Sequence, residues 1–287
     1  MQLSSQVAEK EPLVRRARAL LGTFVAIALP GTSETCFAAG FEAIGLIHEV
    51  MSFHSQDSDI SRLNAARPGE VLEVDEHLIR VIRIAESLRT RTRGLFDISV
   101  GRALVRDGFL PRPFGAKLAQ FNGNTNDIEI IGDTHIVCNR RVMIDLGGIA
   151  KGYAVDLAVE ALMKSGAERG IVNAGGDLRV FGPESQDIHI RNGTGQIVDR
   201  LSLHDCAIAT SSNYANRRKF GDEIRTPHKG PSGLSVLIDG TISVIAPTCT
   251  IADAMTKVAM TDAALAEALL AEHGGQIVSH PFEPIAD

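Results

Sequence analysis

A chain of 287 residues with 44% hydrophobic and 22% charged residues is long enough to bury a sizeable core, and it has the composition of neither a disordered segment nor a fibre. Its 29 basic against 35 acidic residues leave a net charge of −6, so no basic field exists to hold a nucleic-acid backbone. No stretch reaches the roughly 20 apolar residues of a transmembrane helix, and Cys36, Cys138, Cys206 and Cys249 stand too far apart for a C-x-x-C or zinc pattern, so free thiols are expected.

Residues 1–18 are polar and charged and read as a leader. Arg15-Arg16 precedes an apolar run, but no small-residue cleavage site follows, so a cytoplasmic location is expected. The rest, 19–287, reads as a single interwoven domain. A first strand is predicted over Leu21–Leu29. Apolar residues recurring every three or four positions predict helices over Glu34–Met51, with an N-cap in Gly31-Thr32-Ser33, and over Glu76–Thr90. Three strand pairs follow from tight-turn signals: Ile128–Cys138 about Gly132-Asp133, Ile188–Leu203 about Asn192-Gly193, and Leu234–Ile245 about Asp239-Gly240. Between them lies a strand-turn-helix-strand unit, Val142–Phe181, and a last helix is expected from about Ile251, after the Pro247-Thr248 turn. The fold class is therefore α+β, with mixed or antiparallel sheets and flanking helices.

The segment richest in chemistry runs from Val142 to Asp156, where an apolar stretch enters Gly147-Gly148 and then a helix carrying Lys151 in its first turn. Free N–H groups and partial positive charge at such a helix start suit a phosphate. It is neither a Walker loop nor a dinucleotide G-x-G-x-x-G, and tight helix packing explains glycines equally well. A second glycine pair, Gly175-Gly176, lies across the crossover helix. His228 sits in a basic loop, where an imidazole can serve as a base or bind phosphate or be merely solvated. Asp253 opens the last helix, either as its cap or as a functional group sharing a face with Thr256 or Lys257.

The order and spacing of these segments resemble the ApbE family, the FAD:protein FMN transferases, over roughly Leu20 to Met260. The landmarks are Leu21-Gly-Thr23, Met51-Ser-Phe-His-Ser-Gln-Asp-Ser-Asp-Ile-Ser-Arg-Leu-Asn64, Leu95-Phe-Asp-Ile-Ser-Val-Gly101, and Asp145-Leu-Gly-Gly-Ile-Ala-Lys-Gly-Tyr-Ala-Val-Asp156. They continue with Asn173-Ala-Gly-Gly-Asp-Leu178, Ala209-Thr-Ser-Ser-Asn-Tyr214, His228 and Ala252-Asp-Ala254. The resemblance implies that FAD is cleaved at its pyrophosphate with Mg²⁺, that FMN passes to a Thr or Ser hydroxyl of an acceptor flavoprotein, and that AMP leaves. It implies FAD contacts from Met51, Leu95, Phe96, Asp97, Lys151 and His228. Metal ligation would fall to the Ala154 carbonyl, Asp253 and Thr256, and the catalytic roles to His228 and Asp253.

Three positions depart from the family pattern. His228 is followed by Lys-Gly-Pro-Ser-Gly233 without the usual aspartate, Lys257 stands where a metal-binding Thr is usual, and Thr210-Ser-Ser212 replaces T-S-G. These departures keep two other readings beside the transferase: a non-catalytic FAD or FMN binder with Lys257 in place of the metal, and an FAD pyrophosphatase giving FMN and AMP.

Overall fold

Alternation along the central strands decides the architecture. In the strand over 207–212, Ala207 and Ala209 face a helical layer while Ile208 faces the other way, and Val244 and Ala246 divide from Ile245 likewise. Both faces are covered.

The computed structural model describes residues 11–280 except 114, 193–194 and 214–215; Gly193 and Tyr214, named above, lie outside the described residues. The first half comprises β1 (Leu13–Leu20), β2 (Thr23–Pro30), α1 (Glu34–Met51), α2 (Asp59–Ala65), β3 (Val71–Glu73), α3 (Glu76–Arg91), α4 (Gly101–Arg106), β4 (Ile128–Ile131) and β5 (His135–Cys138). Then come α5 (Ala150–Lys164), β6 (Gly170–Ala174), β7 (Asp177–Phe181), β8 (Gln186–Arg191), β9 (Ile197–Leu203), β10 (Ala207–Ser212), β11 (Arg218–Phe220), β12 (Glu223–Arg225), β13 (Thr241–Ala246), α6 (Cys249–Ala259), α7 (Ala263–Ala271) and β14 (Gln276–His280).

Seven strands form one antiparallel sheet in the order β1-β2-β6-β7-β10-β13-β14. Helices α1, α5 and α6 pack on one face with the main apolar core. The β8–β9 ribbon covers the other, where Ile190 and Leu203 meet Leu178, Val180, Ile208 and Ile245. The smaller sheet β3-β5-β4 is also antiparallel. The α+β class with antiparallel sheets is as expected, and the predicted helices appear as α1, capped by Ser33, and α3. All four cysteines are free.

Four expectations need correction. The stretch Leu13–Leu20, assigned to the leader, is an edge strand, and the predicted first strand at Leu21 instead begins at Thr23, after a turn. Apolar periodicity is hidden in β1 because Arg16 and Arg18 interrupt its inner face between Val14 and Leu20, their guanidiniums lying 4.7 and 4.5 Å from the ring centres of Phe37 and Phe41. The hairpin about Asp239-Gly240 does not form: Thr241–Ala246 pairs with β10 and β14, while Val236 donates its N–H to the His228 carbonyl (2.8 Å). Residues 142–146 join no sheet; the buried Asn64 side chain donates to the Ile144 carbonyl (2.9 Å) and accepts from its N–H (2.7 Å), replacing a strand partner. The helix expected as the last starts at Cys249 with Thr248 as its cap; α7 and β14 follow it unanticipated. Because Thr248 caps α6, Asp253 is free for another task.

Candidate active site

Two helices cross at the site with almost no space between their backbones. A Cβ added at Gly152 would lie 2.3 Å from the Cys249 carbonyl oxygen, so only glycine permits this approach of α5 to α6. Asp156, one turn further along α5, fixes the crossing: its carboxylate accepts from the N–H groups of Cys249 (2.9 Å) and Thr250 (2.8 Å), the Thr250 hydroxyl (2.6 Å) and Arg179 (2.9 Å). It thereby compensates the positive end of α6. The Ala-Lys-Gly-Tyr-Ala-Val-Asp156 run is thus a docking device as well as a site motif.

The crossing forms one wall of a cavity of about 690 Å³, within the roughly 300–1,000 Å³ of small-molecule sites. Met51, Leu95 and Phe96 contribute apolar surface, Gly147 and Gly148 expose the start of α5, and Lys151, Asp177, Ser211, His228 and Lys257 contribute polar groups. All six residues expected to contact FAD, Met51, Leu95, Phe96, Asp97, Lys151 and His228, therefore share this cavity's lining. Asp97 has both carboxylate oxygens engaged: one accepts from Arg89 (3.0 Å), the other from Thr125 (2.6 Å) and from the Ser99 hydroxyl and N–H (2.7 and 2.8 Å). Its carboxylate shapes the 95–101 loop.

Four charged side chains form the polar centre. Lys151 pairs with Asp177 and lies 3.8 Å from Asp253 Oδ2; Lys257 Nζ donates to Asp253 Oδ1 at 2.9 Å, and Gly152 N–H donates to Asp253 Oδ2 at 3.2 Å. Two ammoniums thus balance two carboxylates. Burial opposes ionisation of Asp253, but Lys151 and Lys257 outweigh it and hold the carboxyl below its usual range. Burial also disfavours a charged Lys151, yet Asp253 and Asp177 outweigh that and raise its pKa. His228 is pushed down to about 3, by burial first and then by the positive charge of Lys257, so its imidazole is neutral at physiological pH.

Whether the expected metal ligands fit a divalent cation is decided by what their oxygens already touch. Ala154 is wholly buried within α5 and Thr256 within α6, and neither lines the cavity. Thr256 donates its hydroxyl to the Asp253 carbonyl (2.7 Å) and accepts from Lys257 Nζ (2.9 Å). Asp253 Oδ1 accepts from the same ammonium. The side-chain oxygens of the set converge on Lys257 Nζ, within an already neutral charge cluster, so the residues present do not fit a divalent metal as well.

Sequence reasoning did not single out Asp177 and Ser211. Asp177 stood inside a glycine motif read for its backbone; the signal was an acidic residue opening a strand that is otherwise apolar apart from Arg179. The Ser211 hydroxyl, 2.8 Å from that of Thr256 and 3.0 Å from Lys257 Nζ, was visible only as part of a small-residue run.

The His228 loop is held from outside the cavity wall. Buried Asp107, at the end of α4, accepts from Arg106 (2.8 and 3.0 Å), Arg225 (2.9 Å) and Lys229 (2.7 Å). Arg225 and Lys229, on either side of His228, are thus tied to the end of α4.

Residues 21–278 match the sequence model of the ApbE family. The chain is similar to the FAD:protein FMN transferase of Vibrio cholerae, 29% identical over 185 residues covering 59% of this chain and 55% of that protein. It is 33% identical to that of Rhodobacter capsulatus over 215 residues, 66% of this chain and 41% of that one. The match thus spans about half the length of these two relatives. Among solved structures, the ApbE protein of Thermotoga maritima superposes with a TM-score of 0.80 at 26% identity, over 93% of this chain and 94% of that one. The ApbE flavinyl transferase of Pseudomonas stutzeri shares the fold, with a TM-score of 0.79 at 19% identity over 95% and 92% of the two chains. With the family match extending from the first hairpin to the last strand, the chain belongs to the ApbE family.

Proposed function

We propose that the protein is an FAD:protein FMN transferase, moving FMN from FAD to a Thr or Ser hydroxyl of an acceptor flavoprotein and releasing AMP. The observation that carries this reading is the cavity itself, where apolar surface from Met51, Leu95 and Phe96 adjoins two ammonium groups and a neutral histidine beside an uncapped helix start. An isoalloxazine ring needs the first, a pyrophosphate the second, and an acceptor hydroxyl the third.

In this account Lys151 and Lys257 set two positive charges beside the pyrophosphate oxygens and offset the charge that grows on them as the P–O–P bond breaks. The acceptor hydroxyl attacks the FMN phosphorus, an O–P bond forms, and AMP departs with the bridging oxygen. His228 takes the hydroxyl proton and returns it to AMP or water. Its low basicity in the free protein arises from burial and the adjacent ammonium; two negative charges on bound pyrophosphate raise its proton affinity when a base is needed. Asp253 orients both lysines and the Gly152 N–H without meeting the substrate. The Mg²⁺ that family resemblance implies enters no step, because its expected side-chain ligands, Asp253 and Thr256, hold Lys257.

The test is to incubate the purified protein with FAD and candidate acceptor flavoprotein domains, reading AMP and intact acceptor mass together. Equal yields of AMP and an FMN-sized mass gain, both abolished by replacing the acceptor Thr or Ser with Ala, are expected. AMP and free FMN without an adduct would instead establish hydrolysis, and bound flavin without AMP would establish a non-catalytic flavin protein.

A further inference from the structure

Lys257 Nζ has the surroundings of a bound cation rather than of a surface lysine. Ser211 Oγ lies at 3.0 Å, Thr256 Oγ1 at 2.9 Å, Asp253 Oδ1 at 2.9 Å and the Asp253 carbonyl at 3.3 Å. These oxygens come from β10 and α6, and an ammonium with three donors is fully served by them. The stem is seated as well. A Cβ at Gly148 would stand 3.4 Å from Lys257 Cγ, 3.5 Å from Cε and 3.7 Å from a ring carbon of Phe96, all ordinary contact distances, so the lysine stem lies along the cavity wall against Gly148. The side chain remains one-fifth exposed and lines the cavity, leaving its charge within reach of a ligand.

We propose that Lys257 is the built-in cation of this site, replacing a divalent metal in neutralising the diphosphate of the bound nucleotide, so that the protein binds FAD without Mg²⁺. Charge balance argues for it. Without Lys257, the cluster of Lys151, Asp177 and Asp253 carries one net negative charge and an open carboxylate oxygen, the condition that recruits a hard divalent cation. With Lys257 the cluster is neutral and that oxygen is taken. A metal would have to displace an ammonium tethered four residues from Asp253 on the same helix, at high effective concentration. A point charge on a flexible stem is a suitable phosphate partner, and tethering makes it independent of the metal supply. The proposal rests on the FAD reading for the ligand, not for the occupancy of the cage.

Two titrations on the intact protein in EDTA-stripped buffer test it: Mn²⁺ followed by electron paramagnetic resonance, and FAD followed by its fluorescence with and without added Mg²⁺. Wild-type protein is expected to take up less Mn²⁺ than Lys257→Thr, and to bind FAD with an affinity that Mg²⁺ changes by no more than about twofold. Lys257→Thr is expected to bind FAD about tenfold or more weakly in EDTA, the loss of one positive charge beside the diphosphate, and to recover with Mg²⁺. If Lys257→Thr does not fold, Lys257→Met, which keeps the stem beside Gly148 and Phe96, must show the same loss in EDTA. Equal Mn²⁺ uptake by wild type and Lys257→Thr, or wild-type FAD binding that EDTA abolishes and Mg²⁺ restores, overturns the proposal. Failure of every variant to bind FAD would sink the FAD reading alone, and the Mn²⁺ titration would still decide the cage.

Discussion

The two sides of the cavity are built by different physics. On the α5–α6 side the backbones touch at Gly152, Asp156 seals the crossing with four hydrogen bonds, and the charged centre rests on fully buried Asp253. On the His228 side the described residues of the chain from 213 to 240 contain only two three-residue strands, expose Ile224, Leu234 and Leu237, and are anchored by the ion pairs of Arg225 and Lys229 with Asp107. Close packing admits one arrangement, whereas a loop hung on ion pairs tolerates several. A rigid side suits a pyrophosphate held between fixed charges, and an adjustable side suits the entry of an acceptor protein.

If the rigid side is as described, Gly152→Ala should be the most damaging single change. The Cys249 carbonyl cannot give way, and a loss of about 3 kcal/mol or more is expected, read as a lower denaturation midpoint or failure to fold. Asp156→Asn comes next. It keeps the shape but weakens bonds to the start of α6 and abolishes the Arg179 ion pair, and about 2 kcal/mol should be lost in urea titration.

Asp107→Asn separates the two sides. It leaves Lys229 without its carboxylate and Arg225 with Glu223 alone, and should cost about 1–2 kcal/mol in stability. Its larger effect should fall on transfer to the acceptor, with FAD affinity nearly unchanged. An equal loss of FAD affinity would show that the two sides do not act separately.

The mildest effect concerns pH. Folded His228 titrates at about 3 and an unfolded histidine near 6.5, so the unfolded chain binds the extra proton between those values. Stability through this group is therefore complete above about pH 6.5 and declines as pH falls toward 3. Comparing stability between pH 7 and pH 5 in wild type and His228→Asn should show a shallower decline in the variant.

The rigid side was the more legible in sequence. Gly147-Gly148, Lys151, Gly152 and Asp156 sit within ten residues, since a strand-like entry, a helix start and a docking surface must be contiguous. Glycine, with no side chain to vary, announces such a contact. Helices α1 and α3 were equally readable because a single apolar stripe decides them. What sequence concealed depended on distant partners. Arg16 and Arg18 become strand residues only because Phe37 and Phe41 lie beneath them. The Asp239-Gly240 turn signal was real, but β10 offered Thr241–Ala246 a longer ladder than 234–238 could. The Asp107 anchor lies about 120 residues before the loop it holds, in a segment with no motif. Lys257 read as a departure from a pattern; its oxygen cage became visible only when β10 brought Ser211 beside α6.

The most direct test of a transferase site that carries its own cations is FMN transfer to an acceptor domain in excess EDTA, with AMP and acceptor mass measured together. The account predicts one AMP per FMN adduct, at a rate that added Mg²⁺ does not restore or raise appreciably. Transfer that stops in EDTA and returns with Mg²⁺ would contradict it.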